Sequence, residues 1–244
     1  VLDGGTFLFP QDSIRILFRD AQFNDDLPNA GLSFVYDFSD AASEDVQPLT
    51  LSKTNSSSIR VCAYNVLANG LINTNRQVHF ERILSALNAD VFLFSECGGT
   101  SPSQVKSLLD EWLPLSSDEG WQTSKKGDLI TATVWPQLQS WDAIPRQFPL
   151  LVGIPDSLGG PMLFINSHLS CCGNDEARQD EVDQMMAWIV SNEGNLEENT
   201  PIVYAGDLNL VGYVQQLETL LNGDIVQTQT YGAVSYTHLR AHET

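Results

Sequence analysis

Positive charge is what this chain has least of. Lys and Arg number 12 against 31 Asp and Glu, for a net charge of −19 and an isoelectric point near 4.2. Such a surface repels phosphate backbones and disfavours loose, sequence-independent binding to nucleic acid. It suits a salty or extracellular medium, where screening softens self-repulsion, so the chain is expected to be secreted or held at a cell surface. Cysteine is scarce too: Cys62, Cys97, Cys171 and Cys172, with no C-x-x-C pair. That argues against a structural zinc site and against a disulfide framework, and leaves room for one bridge. No apolar run is long enough to span a bilayer, so no membrane span is expected. The chain opens at Val1 with neither Met nor a charged-then-apolar leader, which fits a removed signal peptide or a fragment.

What is present is an ordinary globular composition. With 244 residues, 42% of them hydrophobic, the chain can build one large domain, or a medium domain with an appendage. Residues 1–54 read as an appended β segment. "SIRILFRDA" and "GLSFVYDFSD" form two strands around the turn-rich "QFNDDLPNA", and "LSKTNSSS" is a linker. From residue 55 the pattern becomes strand, helix, strand. "IRVCAYNV" and "ADVFLFSE" are strands flanking "RQVHFERILSALN", a helix whose apolar stripe is expected to be Val78, Ile83, Leu84 and Leu87. "SPSQVKSLLDEWL" is a second helix, capped by Ser101 or Ser103. "GDLITATVWP" and "QFPLLVGIP" read as a meander. The first arrangement then recurs: the strand "PMLFINSHL", a helix with Val182, Met185, Met186 and Ile189 on its apolar face, and the strand "TPIVYAGDL". Two strand–helix–strand units with polar residues at the strand ends point to two sheets, outer helices and one shared cleft.

Those polar residues are Asn65, Glu96, His168, Asp207 and Asn209. Taken singly, each has a plain reading. Asn65 makes a local backbone bond, His168 is a satisfied core histidine, and Asp207 and Asn209 belong to a turn. Glu96 stands out, because a carboxylate ending so apolar a run needs a cation or hydrogen bonds. In a strand, period two sends Asp207 and Asn209 to one face and Leu208 to the other. Taken together, the five suit metal-assisted phosphate-ester hydrolysis: a carboxylate for a hard divalent cation, a His for phosphate oxygens, and an Asp/Asn pair to orient water.

"AYNVLANG", "VFLFSECGG", "FINSHLS" and "YAGDLNLVGY", in this order, resemble the endonuclease/exonuclease/phosphatase superfamily, the deoxyribonuclease I-like fold. The resemblance covers about residues 58–233, and "GDLN" matches the family's G-D-x-N element. It implies an α/β protein, a four-layer sandwich of two packed sheets with outer helices, occupying residues 55–233. It also implies a phosphoesterase dependent on Mg²⁺ or Mn²⁺, read here as a phosphodiesterase. Glu96 would bind the metal and Asn65 would assist at the metal–phosphate site. His168 would contact the phosphate and either help stabilise charge or protonate the leaving oxygen. Asp207 would orient or activate the attacking water, and Asn209 would bond a phosphate oxygen. The substrate would be a phosphoester, either nucleic acid or a small or lipid phosphodiester, acted on by a monomer. A phosphatase or sphingomyelinase-like hydrolase of the same fold is the alternative, as is a non-catalytic binding module. Cys97 adjoins Glu96, and Cys171 and Cys172 closely follow His168, so a bridge from Cys97 to one of that pair is expected.

The family pattern ordinarily closes with an acid–His pair. Here "QTYGA" is followed by "VSYTHLRAHET", residues 234–244, which resemble the translated read-through of a sequencing adapter. His238 and His242 are therefore not taken as metal ligands. The expectation is a sandwich incomplete at its C-terminus, with an unpaired sheet edge and a non-biological tail.

Overall fold

The structure is a computed structural model that describes Lys53 and residues 58–142, 144–192, 195–197, 200–210 and 214–232. The β segment expected over residues 1–54, Lys53 apart, and the tail over 234–244 lie outside the described residues.

Among the described residues eight strands form two four-stranded sheets. The first runs in the order β1 (Val61–Asn65), β2 (Val91–Ser95), β4 (Leu129–Thr133), β3 (Gln122–Lys126). The second runs β5 (Gln137–Ser140), β6 (Gln147–Val152), β7 (Met162–His168), β8 (Ile202–Asp207). Each sheet contains one parallel pair joined by a helix. β1 pairs with β2 across α1 (Thr74–Leu87), and β7 with β8 across α3 (Asp175–Asn192). The predicted meander is in fact two hairpins, β3–β4 and β5–β6, that belong to different sheets. The other α-helices among the described residues are α2 (Pro102–Trp112), α4 (Gln215–Asn222) and α5 (Thr228–Tyr231), beside short 3-10 turns at Gly70–Ile72 and Asp156–Leu158. Among the described residues β1 and β8 each end a sheet, and neither is fully buried. No helix among them is long and apolar enough to cross a membrane.

Alternation along the strands produces three apolar layers. Phe92 and Phe94 of β2 face outward and pack with Phe80 and Leu84 of α1 and Val105 and Leu109 of α2. Leu163 and Ile165 of β7 face the other way, onto Val182, Met185, Met186 and Ile189 of α3. Between the sheets lie Val91, Leu93, Leu150, Val152 and Phe164, with Val61, Val203 and Ala205 beside them. The order is therefore helix, sheet, sheet, helix: the four-layer sandwich expected from the motifs.

Helix α2 begins as its sequence predicts. The Ser101 hydroxyl accepts from the Gln104 N–H while the Gln104 side chain accepts from the Ser101 N–H, a reciprocal cap that satisfies two otherwise orphaned donors. Helix α1 corrects the expected stripe. Val78 is 61% and Ile83 39% exposed, whereas Phe80 and Leu84 are buried and Gln77 and Leu87 half-buried. Residues 77, 80, 84 and 87 keep the alternating three- and four-residue step of a helix face. The step of five from Val78 to Ile83 cannot lie on one.

The inward face changes character toward one end of the sandwich. In β2 the sequence Val91, Leu93, Ser95 runs from apolar to polar, as do Phe164, Asn166, His168 in β7 and Val203, Ala205, Asp207 in β8. Asn166 crosses the interface, and its amide donates to the carbonyls of Phe94 and Ile130 at 3.1 and 3.2 Å. Both parallel pairs thus bring their C-terminal ends to the same polar rim. Ligands of α/β sheets bind at such ends.

Candidate active site

All five residues singled out in the sequence meet at this rim. Asn65 ends β1, and its register partner in β2 is Ser95, which Glu96 follows. His168 and Asp207 are register partners at the ends of β7 and β8. The Asn65 amide nitrogen joins the two sheets: it donates to Glu96 Oε1 and to Asp207 Oδ2, each at 2.8 Å. One NH₂ has two hydrogens, and both are used.

Glu96 is held from its other side by the turn after β1. Leu67, Ala68 and Asn69 have φ of 51°, 51° and 62°, and Glu96 itself has φ of 60°. Each left-handed residue that is not glycine costs roughly 1–2 kcal/mol, and such conformations persist where surrounding bonds over-determine them. Here Leu67 N–H donates to Asn65 Oδ1 at 2.9 Å, Ala68 N–H to Glu96 Oε2 at 2.8 Å, and Asn69 N–H to the Glu96 carbonyl at 2.8 Å. The Asn65 amide and the Ala68 N–H hold the Glu96 carboxyl below its ordinary value of 4.5. It is a carboxylate at neutral pH.

His168 is gripped through Nδ1, which lies 2.6 Å from Asp128 Oδ2, while Nε2 faces Asp207 Oδ2 at 3.9 Å. The Asp128 hydrogen bond raises His168 above its ordinary 6.5, against partial burial and the nearby Arg146. The same bond lowers Asp128 below its ordinary 3.8. Asp128 was not among the residues expected from the sequence. It sits at the tip of the β3–β4 hairpin, where Lys126 pairs with Leu129 and Gly127 takes φ of 59°. "GD" there reads as turn chemistry and nothing more. Arg146 was missed as well. Its carbonyl accepts the His168 N–H at 3.0 Å, and its guanidinium bonds the Leu169 carbonyl at 3.0 Å and lies 3.4 Å from Glu181.

Asp207 and Asn209 reach the site in a different way from that expected. β8 stops at Asp207, so the period of two does not extend to Asn209. Asn209 has φ of 47°, its N–H donates to Asp207 Oδ1 at 3.2 Å, and its amide donates to the Leu169 carbonyl at 2.9 Å. The stretch is therefore a turn that also carries Asp207 and Asn209 to the rim. Leu208 packs into the outer core beneath α3. Gly206 has φ of 143°, and a Cβ there would overlap the backbone of Ser167, its register partner.

The expected cysteine bridge does not form. All four cysteines are free, and Cys97 is buried while Cys171 and Cys172 are exposed with their sulfurs 2.6 Å apart. Cys97 follows a strand end pointing into the core, so nearness in sequence to Glu96 does not bring it to the loop after His168. Among the described residues no group of three or more His, Cys, Asp or Glu forms a metal cage.

Two four-stranded mixed sheets packed face to face, with outer helices and a polar rim at the ends of the parallel pairs, make a four-layer α/β sandwich among the described residues. Among solved structures the chain is similar to ANGEL2, a 2',3'-cyclic phosphatase, with a TM-score of 0.50 and 14% identity over 76% of this chain and 62% of that one. The human Nocturnin catalytic domain with bound sulfate gives a TM-score of 0.49 at 16% identity, covering 67% of this chain and 69% of that chain. A Bacteroides thetaiotaomicron endonuclease/exonuclease/phosphatase family protein gives 0.47 at 17% identity, covering 68% of each chain. No protein-family model and no curated protein sequence matches the chain.

Proposed function

We propose that this chain is a divalent-cation-dependent phosphoesterase, most closely a phosphodiesterase, that uses water as its nucleophile. The observation that carries the reading is the Asn65 amide joining Glu96 to Asp207 while His168, held by Asp128, faces the same Asp207 carboxylate. The likeness in fold to ANGEL2, itself a 2',3'-cyclic phosphatase, accords with a phosphoester substrate.

The donors suit Mg²⁺ or Mn²⁺. Glu96 offers hard carboxylate oxygens, each with one hydrogen bond already accepted and a further lone pair free. Mg²⁺ is commonly held by one or two carboxylates, with water and substrate phosphate completing its shell. When bound, the ion would neutralise phosphate charge and polarise the phosphorus–oxygen bonds. The remaining chemistry belongs to the chain. Asp207, fixed by Asn65 and the Asn209 N–H, accepts a hydrogen from water and turns its lone pair toward phosphorus. His168 Nε2–H donates to a phosphate oxygen and then to the leaving oxygen, its cationic form favoured by Asp128. Asn209 keeps one amide hydrogen for a phosphate oxygen while the other holds the loop.

A compact substrate fits the electrostatics better than a long nucleic acid. Lys125 is committed to the carbonyls of Gly98 and Thr100, and Lys126 to those of Ile144 and Gln147 and to Asp142. With a net charge of −19, little positive surface remains to track a phosphate backbone.

The test is hydrolysis of bis(p-nitrophenyl) phosphate with Mg²⁺ or Mn²⁺, with chelator, and by Glu96→Gln. Chelation should abolish turnover. The variant should lose about 10²-fold or more and bind Mn²⁺ more weakly by paramagnetic relaxation, with its circular dichroism unchanged. Wild-type turnover in Glu96→Gln, or hydrolysis indifferent to chelator, would overturn the reading.

A further inference from the structure

Two residues beyond His168 and Leu169 the chain carries adjacent cysteines, and nothing in the hydrolytic scheme uses them. Side chains of neighbouring residues in extended backbone point to opposite sides. Here they do not: Cys172 has φ of 64°, and its sulfur lies 2.6 Å from that of Cys171, with both residues exposed. The glycine that would take such a φ freely stands one place later, at Gly173, where a Cβ would meet nothing within 4 Å. The left-handed position is thus occupied by a thiol-bearing residue.

The loop that presents the two sulfurs is anchored on every side. Ser170 gives its N–H and hydroxyl to Glu181 at 2.8 and 2.7 Å. Arg178, fully buried, donates to the carbonyls of Ser170 and Cys172 at 2.8 and 2.9 Å and is paired with Asp175. The Asn174 amide donates to the Cys171 carbonyl at 2.9 Å. A buried, paired arginine fixing the backbone of an exposed loop keeps the thiols side by side without occupying them. Cys172 is raised by its hydrogen bond with Cys171, whereas in the other two thiols it is burial that acts, pushing Cys62 up to about 11 and Cys97 up to about 12.

We propose that Cys171 and Cys172 form a thiol–disulfide exchange site that closes into a disulfide between adjacent residues when offered a small-molecule disulfide. One cysteine thiolate attacks the small disulfide, forming a mixed disulfide and releasing one small thiolate. The second cysteine thiolate then attacks the protein sulfur of that mixed disulfide and releases the other. Two electrons pass to the small disulfide, and the two cysteine protons go to the released thiolates.

The test uses the full chain in buffers of defined oxidised to reduced glutathione, quenched in acid and alkylated before and after denaturation. Peptide mass spectrometry should find the peptide spanning residues 171 and 172 unalkylated and two hydrogens lighter. Cys62 and Cys97 should be alkylated only after denaturation. Cys171→Ser and Cys172→Ser should each stop at the glutathione mixed disulfide. The closing equilibrium of the folded chain should exceed that of the urea-unfolded chain by at least about tenfold, because folding holds the sulfurs together. Two free or two glutathionylated cysteines, a bridge to Cys97, a dimer linked through these sulfurs, or equal closing in folded and unfolded chains would each overturn the proposal.

Discussion

The Asp128 side chain acts on His168 through one hydrogen bond, and that bond has a predictable pH signature. His168 is raised from 6.5 in the fold, so its contribution to stability is complete below 6.5 and is lost as pH rises through the folded value. Asp128 is lowered from 3.8, so its contribution is present above 3.8 and is lost as pH falls through its folded value. The pair therefore stabilises most in the window between those two losses. Asp128→Asn removes the charge and the strongest cause of the His168 shift. The histidine should titrate closer to 6.5 by NMR, and the alkaline limb of the rate profile should move to lower pH. An unchanged His168 midpoint would show that Asp207 sets its charge instead.

At the scale of elements, helix α1 and strand β8 give opposite lessons about side chains. On α1 the buried face runs through Phe80 and Leu84, and Val78 points to solvent. Phe80→Ala should cost about 3–5 kcal/mol, while Val78→Ala should stay within about 0.5 kcal/mol of wild type. Urea unfolding distinguishes the two, and comparable costs would restore the stripe first read from the sequence. On β8 the decisive side chain is the one missing from Gly206. Both its φ of 143° and the closeness of the Ser167 backbone exclude a Cβ. Gly206→Ala should destabilise by more than about 3 kcal/mol and shift Asp207 relative to His168. A variant as stable as wild type would mean that β7 and β8 separate easily at this point.

The whole molecule carries a net charge of −19, and self-repulsion of that size opposes the compact state. Salt screens such repulsion over about 10 Å at 0.1 M. The thermal midpoint should therefore rise between about 10 mM and about 0.5 M sodium chloride. A midpoint that falls with salt would show that attractive pairs such as Lys106–Asp110 and Arg146–Glu181 outweigh the net repulsion.

Sequence by itself determined the alternation of strands and helices, the capped start of α2, the apolar face of α3 and the five polar residues at or just beyond strand ends. Those features are local: a period, a cap and a run of β-branched and aromatic residues are each complete within a few neighbours. Only the tertiary structure decided which polar groups touch. Asp128 and Arg146 come from turns whose letters say no more than "turn", and they reach His168 because two hairpins of different sheets end beside it. The exposed side of Val78 and the free state of Cys97 were settled in the same way, by what each side chain faces across a sheet or a helix. A hydrogen bond between residues 40 apart, such as that of His168 with Asp128, has no periodicity to announce it; packing alone brings its atoms together.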